Sequence, residues 1–237
     1  MNGAVSINWL WAAFLILVLL LSVFYFYRKV WFYRDPIRRP PRVDNVIISP
    51  ADGRVMYIKQ FEKGEVYSNK LGEKIELKEI TKANIGTGAT NGWLIGIYMS
   101  PLDVHFNYSP VKGRVEKIVY TSAKANLPMV DLWEYINFMF LRKTVDLFAK
   151  KFHFVNERNA IFLKGKDFPV IMVEIADKFV NKISCFVREG DFLEIGQKIS
   201  FIERGSQVDL IIFKEDLQFL VKPGDQVYGG ETVLAEY

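Results

Sequence analysis

The sequence lacks features that would indicate several common classes of protein. It has a single cysteine, Cys185, so no disulfide can form within the chain, as is usual for a domain that faces the cytosol. The chain has two histidines, and the cysteine and histidines do not occur at the spacing of a metal site. No G-x-S-x-G segment is present, so the sequence does not predict the nucleophile elbow of a serine hydrolase.

Residues 1–27 contain no charged side chain, and this predicts a membrane anchor. The apolar run from Ile7 to Tyr27 would form a helix of roughly 31 Å, close to the hydrocarbon thickness of a bilayer. Tryptophan and tyrosine side chains lie near both ends, where interfacial aromatics are common. A cleavable signal peptide would have a basic start, a shorter apolar run and a small-x-small site, and a core helix would have a polar face. We therefore predict a retained transmembrane anchor.

Basic residues follow this run immediately and predict its orientation. Residues 28–42 carry a net charge of +5, which leaves −1 for the rest of the chain. The positive-inside rule then places the body on the cytoplasmic side, and the basic segment suits an anionic membrane surface. The nearly neutral remainder argues against a nucleic-acid binder. We predict an anchor over residues 1–27, a Pro/Arg linker over 28–44 and one catalytic domain over 45–237.

The body is predicted to be mainly β (α+β). Short runs rich in Val, Ile, Phe and Tyr are bounded by Gly, Pro, Asp or Asn, which is typical of strands. These runs are VIISP, RVMYIKQ, EKIELKEI, GWLIGIYM, RVEKIVY, AIFLKG, PVIMVEIA, KISCFV, KISFIE, VDLIIF and LQFLVK. Residues 130–152 have apolar residues at helical spacing, and we predict a helix there that covers the sheet, dips into the bilayer surface or forms a subunit interface.

Two weak internal repeats add detail to the predicted fold. REGDFLEIGQKISFI (188–202) is similar to KPGDQVYGGETVLAE (222–236), and SPADGRV (49–55) is similar to SPVKGRV (109–115). This pattern resembles the barrel-sandwich of biotinyl and lipoyl carrier domains and of membrane-anchored adaptors. A membrane-anchored binding module is therefore an alternative to an enzyme. A carrier domain would need a modifiable lysine in a tight hairpin, for which Lys178 is a faint candidate.

The dipeptide Gly205-Ser206 carries the most specific chemistry, because a peptide bond before serine can break through an N-to-O acyl shift. The Ser206 Oγ would attack the Gly205 carbonyl carbon, and glycine has no Cβ to obstruct that attack. Serine needs a base to become a nucleophile, and histidine is the usual one. His105 lies in the loop-like segment SPLDVHFNYSP, whereas His153 lies between two phenylalanines, where we predict a packing role.

Several segments together resemble phosphatidylserine decarboxylase proenzymes, in particular the short, archaeal-type branch. They are FYRDPIRRPP, SPADG, MSPLDVH with a following SP-x-x-G, NER (156–158) and GS-x-VD, in that order. The resemblance covers residues 32–237 apart from 120–152. It implies cleavage between Gly205 and Ser206, a covalent pyruvoyl cofactor derived from Ser206, an aspartate that assists self-cleavage (Asp52) and a catalytic histidine (His105).

The resemblance also implies a reaction and a set of partners. The fragments 1–205 and 206–237 would remain associated, and higher oligomers are possible. The pyruvoyl ketone would form a Schiff base with the serine amine of phosphatidylserine and accept electrons as CO₂ leaves. His105 would return a proton, and no metal would be needed. The product would be phosphatidylethanolamine.

Three departures from the family pattern bear on these roles. Longer members have a second histidine where this chain has Tyr108, so His105 serves both self-cleavage and decarboxylation or another group shares the work. Arg204 and Gln207 also differ from the residues common in short-branch relatives. The order Asp52, His105, Ser206 would also suit a serine hydrolase, which is an alternative although the nucleophile elbow is missing, and such an enzyme would keep its chain intact.

Overall fold

A computed structural model describes residues 3–68, 71–86, 90–131, 133–134, 147–178, 183–203 and 205–237. The chain forms two compact units, Met1–Pro36 and Ile37–Tyr237. The second unit therefore includes residues 37–44 of the segment that the sequence suggested as a linker.

The first unit is a long apolar helix. Helix α1 (Gly3–Phe26) continues into a π-helical turn over Tyr27–Trp31. Of the helices that the structure describes, one is long and apolar enough to cross a membrane, over Trp9–Trp31. This range overlaps the predicted anchor and agrees with a membrane location.

The second unit is mainly β, as the sequence predicted. Two of its helices have both ends within the described residues, α2 (Leu77–Thr81) and α3 (Phe152–Val155). Its strands pair antiparallel wherever they meet. They are β1 (Val46–Ile48), β2 (Gly53–Glu62), β3 (Glu65–Ser68), β4 (Glu73–Glu76), β5 (Gly92–Met99), β6 (Phe106–Tyr108), β7 (Gly113–Thr121), β8 (Arg158–Gly165), β9 (Pro169–Ala176), β10 (Ile183–Cys185), β11 (Phe192–Leu193), β12 (Lys198–Ile202), β13 (Ser206–Ile212), β14 (Gln218–Phe219), β15 (Gln226–Val227) and β16 (Val233–Glu236).

The largest sheet has β13 at its centre. Its order is β11-β7-β8-β9-β13-β5-β2-β3-β4, with β15 paired to β2. Two smaller sheets have the orders β1-β16-β14 and β10-β12-β6. All residues of β13 are buried, because both faces of the large sheet are covered.

Alternate residues of the central strands enter two different cores. Val208, Leu210 and Ile212 belong to a first core that also contains residues of β1, β12 and β16. Ile211 belongs to a second core, which includes α2 and Phe152 of α3. Because side chains alternate along a strand, Ser206 faces the first core and Gln207 the second.

The internal repeats occupy equivalent positions in the structure. Gly53 of SPADGRV pairs with Val227, and Gly113 of SPVKGRV pairs with Leu193. The two Ser-Pro turns also exchange backbone hydrogen bonds, from Ile48 N to Pro110 O at 3.0 Å and from Tyr108 N to Pro50 O at 2.8 Å. The repeats are therefore a pseudo-symmetric pair of turns that support each other.

The structure corrects one strand prediction. The run EKIELKEI is a strand only over β4, and it continues as α2 because Leu77, Ile80 and Thr81 are buried at helical spacing. Five short strands, β3, β6, β11, β15 and β16, lie outside the runs given above as strands. Most of the predicted helix over 130–152 lies outside the described residues.

Candidate active site

The Gly205-Ser206 bond lies at the N-terminal end of the central strand, β13. Ser206 is the first residue of β13, paired with Met99 at the end of β5 and with Ala176 at the end of β9. Its side chain is fully buried, and the Oγ donates a hydrogen bond to the Met99 Sδ at 3.1 Å. The serine is thus held by two neighbouring strands, and its preceding peptide bond lies just beyond the paired ends of β5 and β9.

Asp177 holds the carbonyl group of the Gly205-Ser206 bond. Its backbone N–H donates to the Gly205 O at 3.1 Å. Its Oδ1 accepts hydrogen bonds from the Met129 and Lys178 amides, at 3.0 and 2.7 Å. Burial raises the pKa of the Asp177 carboxyl, and those two amides oppose the rise. The carbonyl carbon that Ser206 would attack therefore already has a hydrogen-bond donor on its oxygen.

His105 is buried in the loop that follows β5. Its Nδ1 lies 3.0 Å from the Asp103 O. Because a carbonyl oxygen can only accept, a neutral His105 carries its proton on Nδ1 and presents Nε2 as the basic nitrogen. The Asp103 carboxylate in turn accepts from the Ser100 N and Oγ, at 2.8 and 2.7 Å, which fixes this loop.

Asp52 forms an ion pair with Arg38, which in the sequence is distinguished only as part of a basic segment. The Arg38 Nη2 contacts both carboxylate oxygens of Asp52, at 2.6 and 2.7 Å, and the Gly229 N donates to Oδ1 at 2.7 Å. Burial raises the pKa of Asp52, and Arg38 opposes the rise. The Arg38 Nη1 also contacts Glu231 at 3.1 Å.

Tyr108 packs beside this ion pair. The Arg38 guanidinium lies 5.7 Å from the centroid of the Tyr108 ring. A Cβ on Gly229 would come within 2.8 Å of the same ring, so glycine is required there for the ring to fit. Tyr108 therefore ties the segment that carries His105 to the Asp52 turn and to Arg38.

The three predicted catalytic side chains have separate partners in the uncut chain. Among the residues that the structure describes, no hydrogen bond joins Asp52, His105 and Ser206 to one another. The contacts of Asp52 indicate a role in holding the Tyr108 segment. The catalytic roles of Asp52, His105 and Ser206 remain predictions.

A buried glutamate lies on the Ser206 face of the sheet. Glu174, on β9, accepts hydrogen bonds from Asn107 and Asn159, both at 2.9 Å, and from the Ser200 hydroxyl. Burial raises the pKa of Glu174 from 4.5 to about 7, although these three donors oppose the rise. Because Asn107 lies two residues after His105, this cluster anchors the β6 end of the segment that carries His105.

Glu174→Gln is expected to remove a pH dependence of stability. Since the folded pKa is raised, the carboxyl favours folding fully below pH 4.5, and this contribution is lost as pH rises through about 7. The total change is at most about 3 kcal/mol. Thermal unfolding in detergent between pH 5 and 8 should show a shallower decline for Glu174→Gln than for wild type. The exposed Glu116→Gln variant is the control, and equal slopes for all three proteins would contradict the assignment.

His153 belongs to a polar cluster on the opposite face of the sheet. Its Nε2 lies 3.1 Å from the Asp209 Oδ2, 3.0 Å from the Tyr57 OH and 2.8 Å from the Gln207 Nε2. The Tyr57 hydroxyl donates to the Asp209 Oδ1 at 2.6 Å. The ring is buried and stacks on Phe152, in line with the predicted packing role, but these polar contacts were not foreseen.

The NER segment (156–158) supports the region around Ser206 through buried polar side chains. The Asn156 Nδ2 donates to the Ala176 O at 2.7 Å and to the Leu127 O at 2.8 Å. Arg158 is fully buried and donates to the carbonyl oxygens of Ile80 and His153, at 2.8 and 2.5 Å. These contacts fix the end of β9, where Ala176 is paired with Ser206.

Comparison with known proteins identifies the family. A model described as phosphatidylserine decarboxylase matches residues 27–235. This chain belongs to the phosphatidylserine decarboxylase family. One relative, named "putative archaetidylserine decarboxylase proenzyme" in Methanocaldococcus jannaschii, is 36% identical over 207 residues, which cover 87% of this chain and 88% of the relative. A "phosphatidylserine decarboxylase proenzyme" of Saccharopolyspora erythraea is 30% identical over 207 residues, covering 87% and 72%.

Membership of the phosphatidylserine decarboxylase family confirms the predicted family and enzyme class. Three residues that contact the predicted site residues or their supports, Arg38, Glu174 and Asp177, were not predicted from the sequence. Glu174 had a visible signal, since it is the one charged residue within the otherwise apolar run PVIMVEIA. Arg38 and Asp177 had no distinguishing signal, because arginine is abundant in the linker and Asp-Lys is common in turns.

Proposed function

We propose that this chain cleaves itself between Gly205 and Ser206 and then decarboxylates the serine head group of a membrane phospholipid. The single observation that supports this most strongly is the junction itself. Ser206 begins the central strand of a phosphatidylserine decarboxylase family member, and the carbonyl before it is held by a backbone N–H. The two relatives are named for lipids with different tails, and both names share the serine head group.

Self-cleavage would use groups that already lie at the junction. The Ser206 Oγ adds to the Gly205 carbonyl carbon, the peptide C–N bond breaks, and an ester results. The Asp177 N–H stabilises the negative charge that develops on the Gly205 oxygen. Loss of the Ser206 Cα proton then expels Gly205 as a carboxylate, and hydrolysis releases ammonia and leaves a pyruvoyl group at residue 206.

The surroundings of residue 206 suit a pyruvoyl group. The group is smaller than the serine from which it forms, so the space between Met99 and Ala176 accommodates it. A pyruvoyl group supplies an electron sink for the loss of CO₂ from an amino acid head group. His105, held through Nδ1, would move protons at its Nε2, first in self-cleavage and later to the decarboxylated carbon.

The anchor would keep this enzyme at its substrate. We infer a single-pass membrane protein whose body lies on the cytoplasmic side, because the basic residues follow the apolar helix. The basic segment would contact an anionic membrane surface. Fragments 1–205 and 206–237 would stay together, since β13 is hydrogen bonded on both sides, and pairs of such complexes could associate further. The pseudo-symmetric turns would form a barrel-sandwich core.

The function is tested by supplying the lipid directly. Wild-type protein in detergent micelles should convert phosphatidylserine, or its isoprenoid-ether counterpart, to the ethanolamine lipid with release of CO₂. Comparison of the two lipids would assign the tail preference. Ser206→Ala should form no product from either lipid. Intact substrate after incubation with cleaved wild-type protein would contradict the proposal.

A further inference from the structure

The Asp177 side chain has one oxygen that faces the cleavage junction. Oδ1 accepts two backbone N–H groups, whereas no residue in the described parts of the chain donates a hydrogen bond to Oδ2. A Cβ built on Gly205 would lie 3.2 Å from Oδ2. Asp177 is half-buried, and Gly205 and Ser206 are buried. A carboxylate oxygen without a described donor therefore lies within a few ångströms of the residue that precedes the reactive centre.

Self-cleavage would add a second negative charge at this place. The expelled Gly205 ends in a carboxylate, and in the uncut chain its carbonyl oxygen is already held by the Asp177 N–H. The junction would then present two carboxylates beside residue 206. Two like charges at such a distance are unfavourable unless a cation lies between them.

The serine head group brings such a cation. At neutral pH its amine is an ammonium group, and it must approach residue 206 for decarboxylation to occur. We propose that the Asp177 carboxylate, with the carboxylate that cleavage creates at Gly205, binds the ammonium group of the lipid head. This inference rests on the proposed function and adds a head-group subsite to it.

The site also suits the removal of a proton from that ammonium group. An amine must lose a proton before its nitrogen becomes a nucleophile, and the Asp177 Oδ2 would accept it. Burial raises the pKa of Asp177, which makes the carboxylate a better proton acceptor than an exposed one. The positive charge of the exposed Lys178 opposes this rise in the pKa of Asp177.

Asp177→Asn tests the proposal because it removes the charge and keeps an oxygen to accept the Met129 and Lys178 amides. Processing is first checked by mass, so that failure of self-cleavage is distinguished from failure of head-group binding. Binding of glycerophosphoethanolamine and of glycerophosphoglycerol, which has the same phosphodiester but no ammonium group, is then measured by NMR titration of the mature protein. We expect Asp177→Asn to bind the ammonium compound roughly tenfold more weakly and glycerophosphoglycerol no more weakly than wild type does. Asp167→Asn, which removes an exposed carboxylate elsewhere, should bind both compounds as wild type does.

A second readout reports on the reactive group itself. Hydroxylamine is largely uncharged at neutral pH and labels ketones, so its rate of labelling residue 206 should be unchanged in mature Asp177→Asn. Equal affinity of wild type and Asp177→Asn for glycerophosphoethanolamine would overturn the proposal, and so would equal weakening for both compounds. Asp177→Ser, whose hydroxyl can also accept the Met129 amide, serves if Asp177→Asn fails to mature. If neither variant matures, the carboxylate acts in chain cleavage and the proposal is wrong.

Discussion

His105→Ala is expected to leave the chain uncut, whereas His153→Ala is expected to leave a chain that still cleaves. His153 lies on the face of the sheet opposite the Ser206 side chain. The Ser206 side chain faces the first core, with Met99, while His153 contacts Gln207 and Asp209 on the opposite face. The family's second histidine position is occupied by Tyr108, so His105 is the histidine left to act as base for Ser206.

The size of the expected loss in cleavage rate follows from the role of His105 as a general base. Loss of a general base costs roughly 10²–10⁴-fold in rate, which would convert rapid maturation into a slow or undetectable one. Gel analysis of freshly purified protein over several days measures the fraction cleaved. His153→Ala provides the matched control, because it removes the only other histidine and disrupts a buried cluster. Normal cleavage in His105→Ala would show that another group acts as the base.

Arg38→Ala is expected to lower stability strongly and to slow cleavage. The Arg38 and Asp52 side chains are 8% and 5% exposed, so the variant would leave a buried carboxylate without its cation. Breaking a buried ion pair from one side costs roughly 3–5 kcal/mol. The same change removes the guanidinium that packs on Tyr108, and the His105 segment would lose a support.

Arg39→Ala is a close control for this experiment. Arg39 is the adjacent arginine, it is exposed, and its described contact with Glu231 is made by its backbone N–H. Both variants remove one positive charge from the basic segment, so any effect of membrane attraction is shared. Thermal unfolding and the cleaved fraction should change in Arg38→Ala alone. Equal effects of the two substitutions would indicate that charge at the membrane, rather than the ion pair with Asp52, is what matters.

The strands could be predicted where glycine or proline marks the start of a buried run. GWLIGIYM and PVIMVEIA correspond residue for residue to β5 and β9, because glycine or proline begins each run and β-branched residues fill it. EKIELKEI was predicted as one strand because charged and apolar residues alternate over 74–78, but its buried residues follow a helical period from Leu77. The short strands β6 and β11 depend on partners distant in the chain, β12 and β7, which local propensity does not specify.

The site could be predicted only as a set of residues, and not as a geometry. The motifs identified Ser206, His105 and Asp52, but motifs carry no information on which side chains meet. Asp52 is bound by Arg38, from a basic segment that in the sequence alone suggests only a membrane orientation. The proximity of Asp177 to Gly205 results from the pairing of β9 with β13, in which Ala176 lies opposite Ser206.

The central claim is that Ser206 becomes a pyruvoyl group by self-cleavage, and intact-mass spectrometry of the purified full-length protein tests it most directly. The wild-type chain should yield fragments 1–205 and 206–237, the shorter one lighter by one ammonia than a fragment with an N-terminal serine. Ser206→Ala should yield a single uncut chain. A folded wild-type protein that stays uncut in detergent, or a short fragment with an ordinary N-terminal serine, would contradict the account.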